Sequence, residues 1–84
     1  MHFLQITPRL SMLTLGMVHC YLFEGTYGPI LIDCGNPGDG PKILAALVHR
    51  KHRPADLRIV ATHLHIDHVG ALSELQAAGS PAAV

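Results

Sequence analysis

The sequence of 84 residues has little charge and few aromatic rings. Charged residues make up 14% of the chain, tryptophan is absent, and six basic side chains balance six acidic ones. A formal net charge of zero provides no general attraction to nucleic acid or to an anionic membrane, so we expect neither as a partner. Because 49% of the residues are apolar, the composition also argues against intrinsic disorder. These features predict one small folded domain.

Long apolar stretches and paired-cysteine motifs are also missing. No apolar run approaches the roughly 18 residues of a membrane span, and the first residues lack the basic region and apolar core of a signal peptide. The two cysteines, Cys20 and Cys34, do not form a C-x-x-C or zinc-knuckle spacing. We interpret them as buried free thiols rather than as a disulfide, and we expect a cytoplasmic protein.

Apolar periodicity and chain-breaking residues predict the element order β-β-β-β-α-β, then a histidine-rich loop, then α. The predicted strands are 3–7, 9–15, 17–24, 30–32 and 57–62, and the predicted helices are 41–51 and 69–78. The third and fourth strands are expected to form a hairpin. Residues 82–84 resemble the start of another strand, so we expect the chain to be the N-terminal part of a longer protein.

Two segments carry many polar or glycine residues without a specific motif. Residues 35–41 contain three glycines and two prolines, which predicts a loop, but their pattern fits no phosphate-binding fingerprint. Residues 49–53 form a basic cluster at the end of the first predicted helix. We interpret this cluster as a solvated helix end that complements the helix dipole, rather than as an anion-binding patch.

Four candidate metal ligands follow the last predicted strand within six residues: His63, His65, Asp67 and His68. In a chain of this composition, such a pattern has a chance of about 0.002 of arising at random. If the backbone stays extended after Thr62, His63 and His65 lie on one side and can reach one metal ion. Asp67 is also a good helix N-cap, which would hold its carboxylate and the His68 imidazole beside the first pair.

This ligand spacing fits two divalent metal ions that share a water better than it fits one ion. A catalytic zinc site commonly takes three protein ligands and leaves one position for water, and two-metal sites divide a larger set between neighbouring ions. Zinc is the expected metal, while iron and manganese also accept histidine and aspartate ligands.

Asp33 ends a short apolar strand and is followed by Cys34 and Gly35. Two interpretations stay open at this point. The carboxylate either caps the loop that follows, or it accepts a hydrogen bond behind the metal site and orients a metal-bound histidine or water.

The run from Thr62 to Gly70 resembles the signature of the metallo-β-lactamase superfamily, in the branch of glyoxalase II and related metallohydrolases. The resemblance extends to the hairpin around residues 20–22, to the strand end 30–35 and to the helix after it. It implies an α+β fold, namely the N-terminal half of an αββα sandwich with a mixed or antiparallel sheet and two helices. Residues 1–84 would then be a partial domain. The family often has threonine where this chain has Cys34, a change that we expect to be tolerated.

By this resemblance, His63 and His65 bind a first metal ion, Asp67 and His68 bind a second, and Asp33 supports the site from behind. Asp67 is the candidate catalytic residue. The implied activity is that of a metal-dependent hydrolase, in which a metal-bound hydroxide attacks an ester, thioester, lactone or similar bond of a small-molecule substrate. The family's remaining ligands lie beyond the histidine-rich loop, so we expect the 84-residue chain alone to be inactive.

Three other functions stay open as alternatives to a hydrolase. The chain could be a non-catalytic module that binds a metal or complements a partner chain. It could be a nuclease of the same superfamily, although the neutral charge and the single basic cluster argue against it. A metal-free relic is the third, which the intact motif argues against. The missing half would cover an apolar sheet face, so we expect either self-association or a complementing C-terminal half.

Overall fold

The computed structural model describes residues 2–62 and 69–80. Within these residues, five strands form one sheet in the order β1-β2-β3-β4-β5, and two helices follow the fourth and fifth strands. The strands are β1 (His2–Gln5), β2 (Leu10–Leu15), β3 (Val18–Gly25), β4 (Gly28–Ile32) and β5 (Arg58–Val60). The helices are α1 (Gly40–His49) and α2 (Leu72–Ala77), and a short 3₁₀ turn covers Pro54–Asp56.

The sheet is mixed, as expected. The first three pairings, from β1 to β4, are antiparallel, whereas β4 and β5 run parallel because α1 carries the chain back across the sheet. The predicted hairpin of the third and fourth strands is confirmed by the pairing of β3 with β4. Both helices follow the predicted order, so the α+β class is confirmed.

The ends of several elements differ from the prediction. β4 begins at Gly28 rather than at residue 30, and it includes Pro29. This proline is tolerated because the pairing of β4 with β5 starts only at Ile30, so no bond between those two strands needs its missing N–H. β5 ends at Val60 rather than at residue 62, and α2 spans Leu72–Ala77 rather than 69–78. The predicted strand start at 82–84 lies outside the described residues.

One face of the sheet packs against the helices and forms the core. The pairing register places Leu22, Leu31 and Ile59 side by side on three neighbouring strands, and each is at most 1% exposed. Ile43 of α1 and Leu75 of α2 are fully buried in the same cluster. Each fully buried aliphatic side chain contributes roughly 1.5–3 kcal/mol relative to an exposed one. The prediction of buried free thiols is also confirmed, since both cysteines are reduced and buried in this core.

The opposite face carries an apolar row that crosses all five strands. The register aligns its members, here called the apolar row: Leu4, Met12, Tyr21, Ile32 and Val60. Leu4 is 54% exposed and Val60 is 38% exposed, while the three central members are half-buried. None of the five belongs to the buried core, so within residues 2–62 and 69–80 this face stays partly open to solvent.

Two residues of the basic cluster at residues 49–53 are hydrogen-bonded to the sheet, which the sequence does not indicate. Arg50 donates to Glu24 of β3 from Nε at 3.0 Å and from Nη2 at 2.5 Å, and His52 Nε2 lies 2.8 Å from the other carboxylate oxygen. The Arg50 guanidinium also lies over the Phe3 ring, 5.4 Å from its centroid. Burial would raise the pKa of Glu24, but the hydrogen bonds from Arg50 and His52 hold that pKa below its usual value. These residues therefore join the end of α1 to β3, which a wholly solvated helix end would not do.

None of the helices in the described part of the chain is long and apolar enough to cross a membrane.

Candidate metal centre

The candidate site lies at the edge of the sheet where the parallel strands β4 and β5 both end. Asp33 directly follows β4, and its backbone N–H donates to the carbonyl of Val60 at 2.8 Å, which extends the pairing by one step. Thr62 follows β5 two residues later. The predicted ligands His63, His65, Asp67 and His68 belong to residues 63–68, here called the ligand loop, which lie outside the described residues. The described residues on either side of this loop are Thr62 before it and residues 69–80 after it.

Asp33 holds the residue that precedes the ligand loop. Its Oδ1 accepts the backbone N–H of Thr62 at 2.8 Å, and the Thr62 hydroxyl donates to the same carboxylate, 2.8 Å from Oδ2 and 3.0 Å from Oδ1. Asp33 is only 6% exposed and has a φ of 64°. Aspartate tolerates this left-handed conformation better than most residues. The backbone twist thus turns the carboxylate from the end of β4 toward the end of β5.

The loop after Asp33 also holds the residues that follow the ligand loop. The backbone N–H of Gly70 donates to the carbonyl of Gly35 at 2.8 Å. Gly35 has a φ of 70°, and a Cβ at this position would lie 2.6 Å from Asp39 Oδ2 and 2.9 Å from Leu15 Cδ1. Only glycine fits there, because a side chain would meet both strain and collision.

Cys34 contributes a second contact on this side of the loop. Burial raises the pKa of the Cys34 thiol to about 11, although a hydrogen bond from the backbone of Ala71 opposes that shift. Ala71 immediately precedes α2 and is fully buried. The fully buried thiol therefore packs at the junction between the end of β4 and the start of α2.

Glu74 of α2 makes the third connection, which no sequence pattern predicts. Its Oε2 accepts the backbone N–H of Gly38 at 2.7 Å, and its Oε1 accepts that of Gly40 at 2.9 Å. The acceptor and the two donors lie 34 to 36 residues apart, so no local pattern pairs them. Thr62 belongs to the motif that resembles the family signature, but its contact with Asp33 is likewise not predicted by the sequence, because a hydroxyl beside four metal ligands has no spacing pattern of its own.

No group of three or more histidine, cysteine, aspartate or glutamate side chains within residues 2–62 and 69–80 could hold a metal ion. A metal centre at this edge would therefore depend on the ligand loop. Its three imidazoles and one carboxylate are ligand types that zinc takes in proteins. The described flanks fit such a centre, since Thr62 before the ligand loop and Gly70 after it are both hydrogen-bonded to residues 33–40 at one edge of the sheet.

Comparisons with known proteins point to one family. Residues 13–84 match the family model of the metallo-beta-lactamase superfamily. The human "Metallo-beta-lactamase domain-containing protein 1" is 40% identical over 58 residues, which cover 68% of this chain and 22% of the human protein. The rat protein of the same name is 42% identical over 52 residues, covering 61% of this chain and 21% of its own length.

Solved structures show the same fold. A metallo-β-lactamase mutant from Cronobacter sakazakii superposes with a TM-score of 0.83 and 29% identity, covering 98% of this chain and 32% of its own. A class B3 di-zinc metallo-β-lactamase from an Alaskan soil metagenome superposes with a TM-score of 0.82 over the same shares, at 21% identity. The chain thus spans about a fifth of its curated relatives and about a third of these enzymes.

Proposed function

The chain belongs to the metallo-β-lactamase superfamily, a family of metal-dependent hydrolases, and we propose that it forms the N-terminal part of such a hydrolase. The proposed substrate is a small molecule with an ester, thioester, lactone or similar bond. The observation that carries the proposal is the contact between Asp33 and Thr62, which fixes the backbone at the residue before the ligand loop. Catalysis is proposed for a protein of the relatives' length and not for these 84 residues alone.

We propose that His63 and His65 contribute to one metal ion and that Asp67 and His68 contribute to a second. Zinc is the expected metal, and iron or manganese would also suit these ligands. When bound, the two ions would activate a water molecule for attack on the substrate and stabilise the charge that develops. Asp67 supplies the only carboxylate of the ligand loop, and we assign it the catalytic role as well as ligation.

In this proposal Asp33 supports the site from behind. A buried carboxylate that accepts two different groups of one residue restricts that residue's position more than a single bond would. Thr62 is the residue so restricted. The chain therefore leaves β5 in a fixed direction as far as Thr62, the residue before the ligand loop. Residues that orient ligands in this way typically influence metal affinity by 10-fold to 100-fold.

We further propose that the apolar row is covered in the working protein by the part of a longer chain that completes the fold. An apolar strip across five strands with exposed ends is the kind of surface that otherwise drives association. In the absence of such a part, two copies of this chain would cover the row for each other.

Native mass spectrometry of the protein purified from its source without chelator tests the proposed function, since one spectrum reports mass, oligomeric state and metal count. A chain well above 9.0 kDa that carries two metals and hydrolyses esters, thioesters or lactones would support it. A 9.0 kDa chain without metal or activity would contradict it. Metal held in a defined oligomer of inactive 9.0 kDa chains would favour the non-catalytic binding module instead.

A further inference from the structure

Residues on both sides of the ligand loop are hydrogen-bonded to the same short stretch, residues 33–40, here called the anchoring loop. On one side Asp33 holds Thr62. On the other side the carbonyl of Gly35 holds the N–H of Gly70 at 2.8 Å. The positions of Thr62 and Gly70, on the two sides of the ligand loop, are therefore both restrained by the anchoring loop.

Glu74 is the side chain that joins the anchoring loop to α2. Its two carboxylate oxygens accept the N–H groups of Gly38 and Gly40, at 2.7 and 2.9 Å. Hydrogen bonds to an ionised carboxylate are roughly twice as strong as those between neutral groups. The carboxylate also lies at the N-terminus of α1, where the unpaired N–H groups and the helix dipole favour negative charge.

Glu74 takes a role at α1 that a local residue usually fills. Asp39 occupies the N-cap position of α1 but makes no side-chain cap bond to the helix. Its Oδ2 instead accepts the N–H of Asn36 at 2.8 Å, inside the anchoring loop. The first N–H of α1, that of Gly40, is thus satisfied from the neighbouring helix. A Cβ at Gly40 would lie 2.5 Å from Oε1 and 2.6 Å from Cβ of Glu74, so the close approach requires glycine.

These bonds add to the packing that positions α2, and Ser80 beyond the end of α2 also donates to the carbonyl of Pro54 at 2.8 Å. α2 has six residues, and a helix this short is not stable by itself in water. Leu75 is the one buried residue within it. Leu72 packs against the core from a half-buried position, so two leucines set how deeply the helix packs, and a carboxylate bonded to two separate N–H groups adds a directional restraint on sliding and rotation.

We propose that Glu74 is a positioning residue for the metal centre: by bonding α2 to the anchoring loop, it sets the position of Gly70 relative to Thr62, the residues that lie on the two sides of the ligand loop. This inference rests on the proposed function, because the ligand loop must bind metal for the spacing to matter. Metal-binding constellations need their ligands within about 0.5 Å of the productive geometry. Loss of Glu74 should therefore weaken metal binding even though its carboxylate is not a ligand.

The test compares Glu74→Gln with Glu24→Gln in the full chain. Both changes replace a carboxylate that accepts hydrogen bonds and joins a helix to the rest of the fold, but Glu24 lies on β3 near the end of α1. Zinc affinity is measured by competition with a chromophoric chelator, and cobalt substituted for zinc reports ligand geometry through its absorption spectrum. The free energy of unfolding of each metal-free variant is measured in urea.

We expect Glu74→Gln to weaken zinc affinity about 10-fold or more and to change the cobalt spectrum. Glu24→Gln should lower stability while leaving affinity and spectrum near wild type. Gly40→Ala should reproduce the Glu74→Gln effect, and the double variant should be little worse than either single one, because both remove the same contact. Equal effects of Glu74→Gln and Glu24→Gln on affinity, or no effect of Glu74→Gln, would overturn the inference.

Amide hydrogen exchange of the metal-free chain separates this inference from the proposed function. In Glu74→Gln, the Gly70 amide that bonds to Gly35 should exchange at least about 10-fold faster. The Glu24 amide, which donates to the carbonyl of Arg9 at 2.7 Å, should be unchanged. If wild type binds no metal but Gly70 responds in this way, the proposed function fails while the fastening by Glu74 stands. If Gly70 does not respond, the role of Glu74 is rejected whether or not metal binds.

Discussion

Asp33 Oδ1 accepts the backbone N–H of Thr62 at 2.8 Å, so a residue at the end of β4 fixes the chain two residues beyond the end of β5. Asp33 makes this contact from a left-handed backbone conformation, with a φ of 64°. Such a conformation costs on the order of 1 kcal/mol for a residue with a side chain. The hydrogen bonds to Thr62 offset this cost, so the contact and the strain should be separable by substitution.

Asp33→Ala should destabilise the protein by about 2–3 kcal/mol, because it leaves two donors of Thr62 without their acceptor and keeps the strained backbone. Asp33→Gly loses the same hydrogen bonds but relieves the strain, so it should be more stable than Asp33→Ala by about 1 kcal/mol. Urea unfolding of the metal-free chain measures both differences. Equal stability of the alanine and glycine variants would show that φ at this position carries no cost.

In the complete hydrolase, His65→Ala and Asp67→Ala should each abolish turnover, because each removes a proposed metal ligand. His49→Ala is the matched control, since this histidine is exposed in the last turn of α1 and is no candidate ligand. It should leave turnover near wild type. The measurement is the initial rate of hydrolysis together with the metal content of each variant. Equal loss of activity in all three would contradict the ligand assignment.

The hairpin of β3 and β4 followed from the sequence because its signals are local. The turn residues between these two strands indicate both the strands and their pairing. The pairings of β1 with β2 and of β2 with β3 were not predicted. The end of β5 could not be predicted in this way. Ala61 and Thr62 continue a pattern typical of strands, but Asp33 takes the Thr62 N–H that a longer strand would offer to a neighbour.

The chemistry of the site was predicted more fully than its support. Metal ligands have a specific spacing, so the residues from His63 to His68 were recognised as a set, although their placement stays a prediction. Glu74 has no such signal, because its partners Gly38 and Gly40 are backbone groups that any sequence would offer. The contacts that support this edge of the sheet join residues that lie far apart in the sequence, and only the three-dimensional structure brings them together.

Acid should destabilise the protein partly through Glu24. Burial alone would raise the pKa of Glu24, but the hydrogen bonds from Arg50 and His52 hold it below the ordinary value of 4.5. The unfolded chain therefore binds this proton more readily than the folded one. The stabilisation is complete above about pH 4.5 and is lost as pH falls through the lowered pKa of the folded state.

Urea unfolding between pH 3 and 6 measures this effect. The free energy of unfolding of Glu24→Gln should depend less steeply on pH than that of wild type. Parallel curves would contradict this assignment.

Alkali should act through Cys20. This thiol is 0% exposed, and burial, reinforced by the neighbouring Cys34, Asp39 and Asp33, raises its pKa to about 12. The folded state thus keeps a proton that the unfolded chain releases above about pH 9. Stability should fall with rising pH above that value, with this thiol contributing at most about 1.4 kcal/mol per pH unit.

Two measurements test the role of Cys20. The free energy of unfolding of Cys20→Ala should fall less between pH 9 and 10.5 than that of wild type. Iodoacetamide at pH 8 should label Cys20 far more slowly in the native protein than in the urea-unfolded chain. Rapid labelling of the native protein would refute the burial argument.

The apolar row should make the 84-residue chain associate with itself. Leu4 and Val60 lie at the two ends of the row and are 54% and 38% exposed, so a lysine at either position would place a charge in the contact between two copies. Sedimentation velocity over a range of concentrations should show association of wild type that Leu4→Lys and Val60→Lys weaken at least 10-fold, since an uncompensated charge in an apolar contact costs more than about 1.4 kcal/mol.

Val48→Lys is the control, because Val48 is 68% exposed but belongs to α1, which packs on the other face of the sheet. If Val48→Lys weakens association as much as the other two, the row is not the contact surface. A wild-type chain that stays monomeric at every concentration would show that the row does not need a cover.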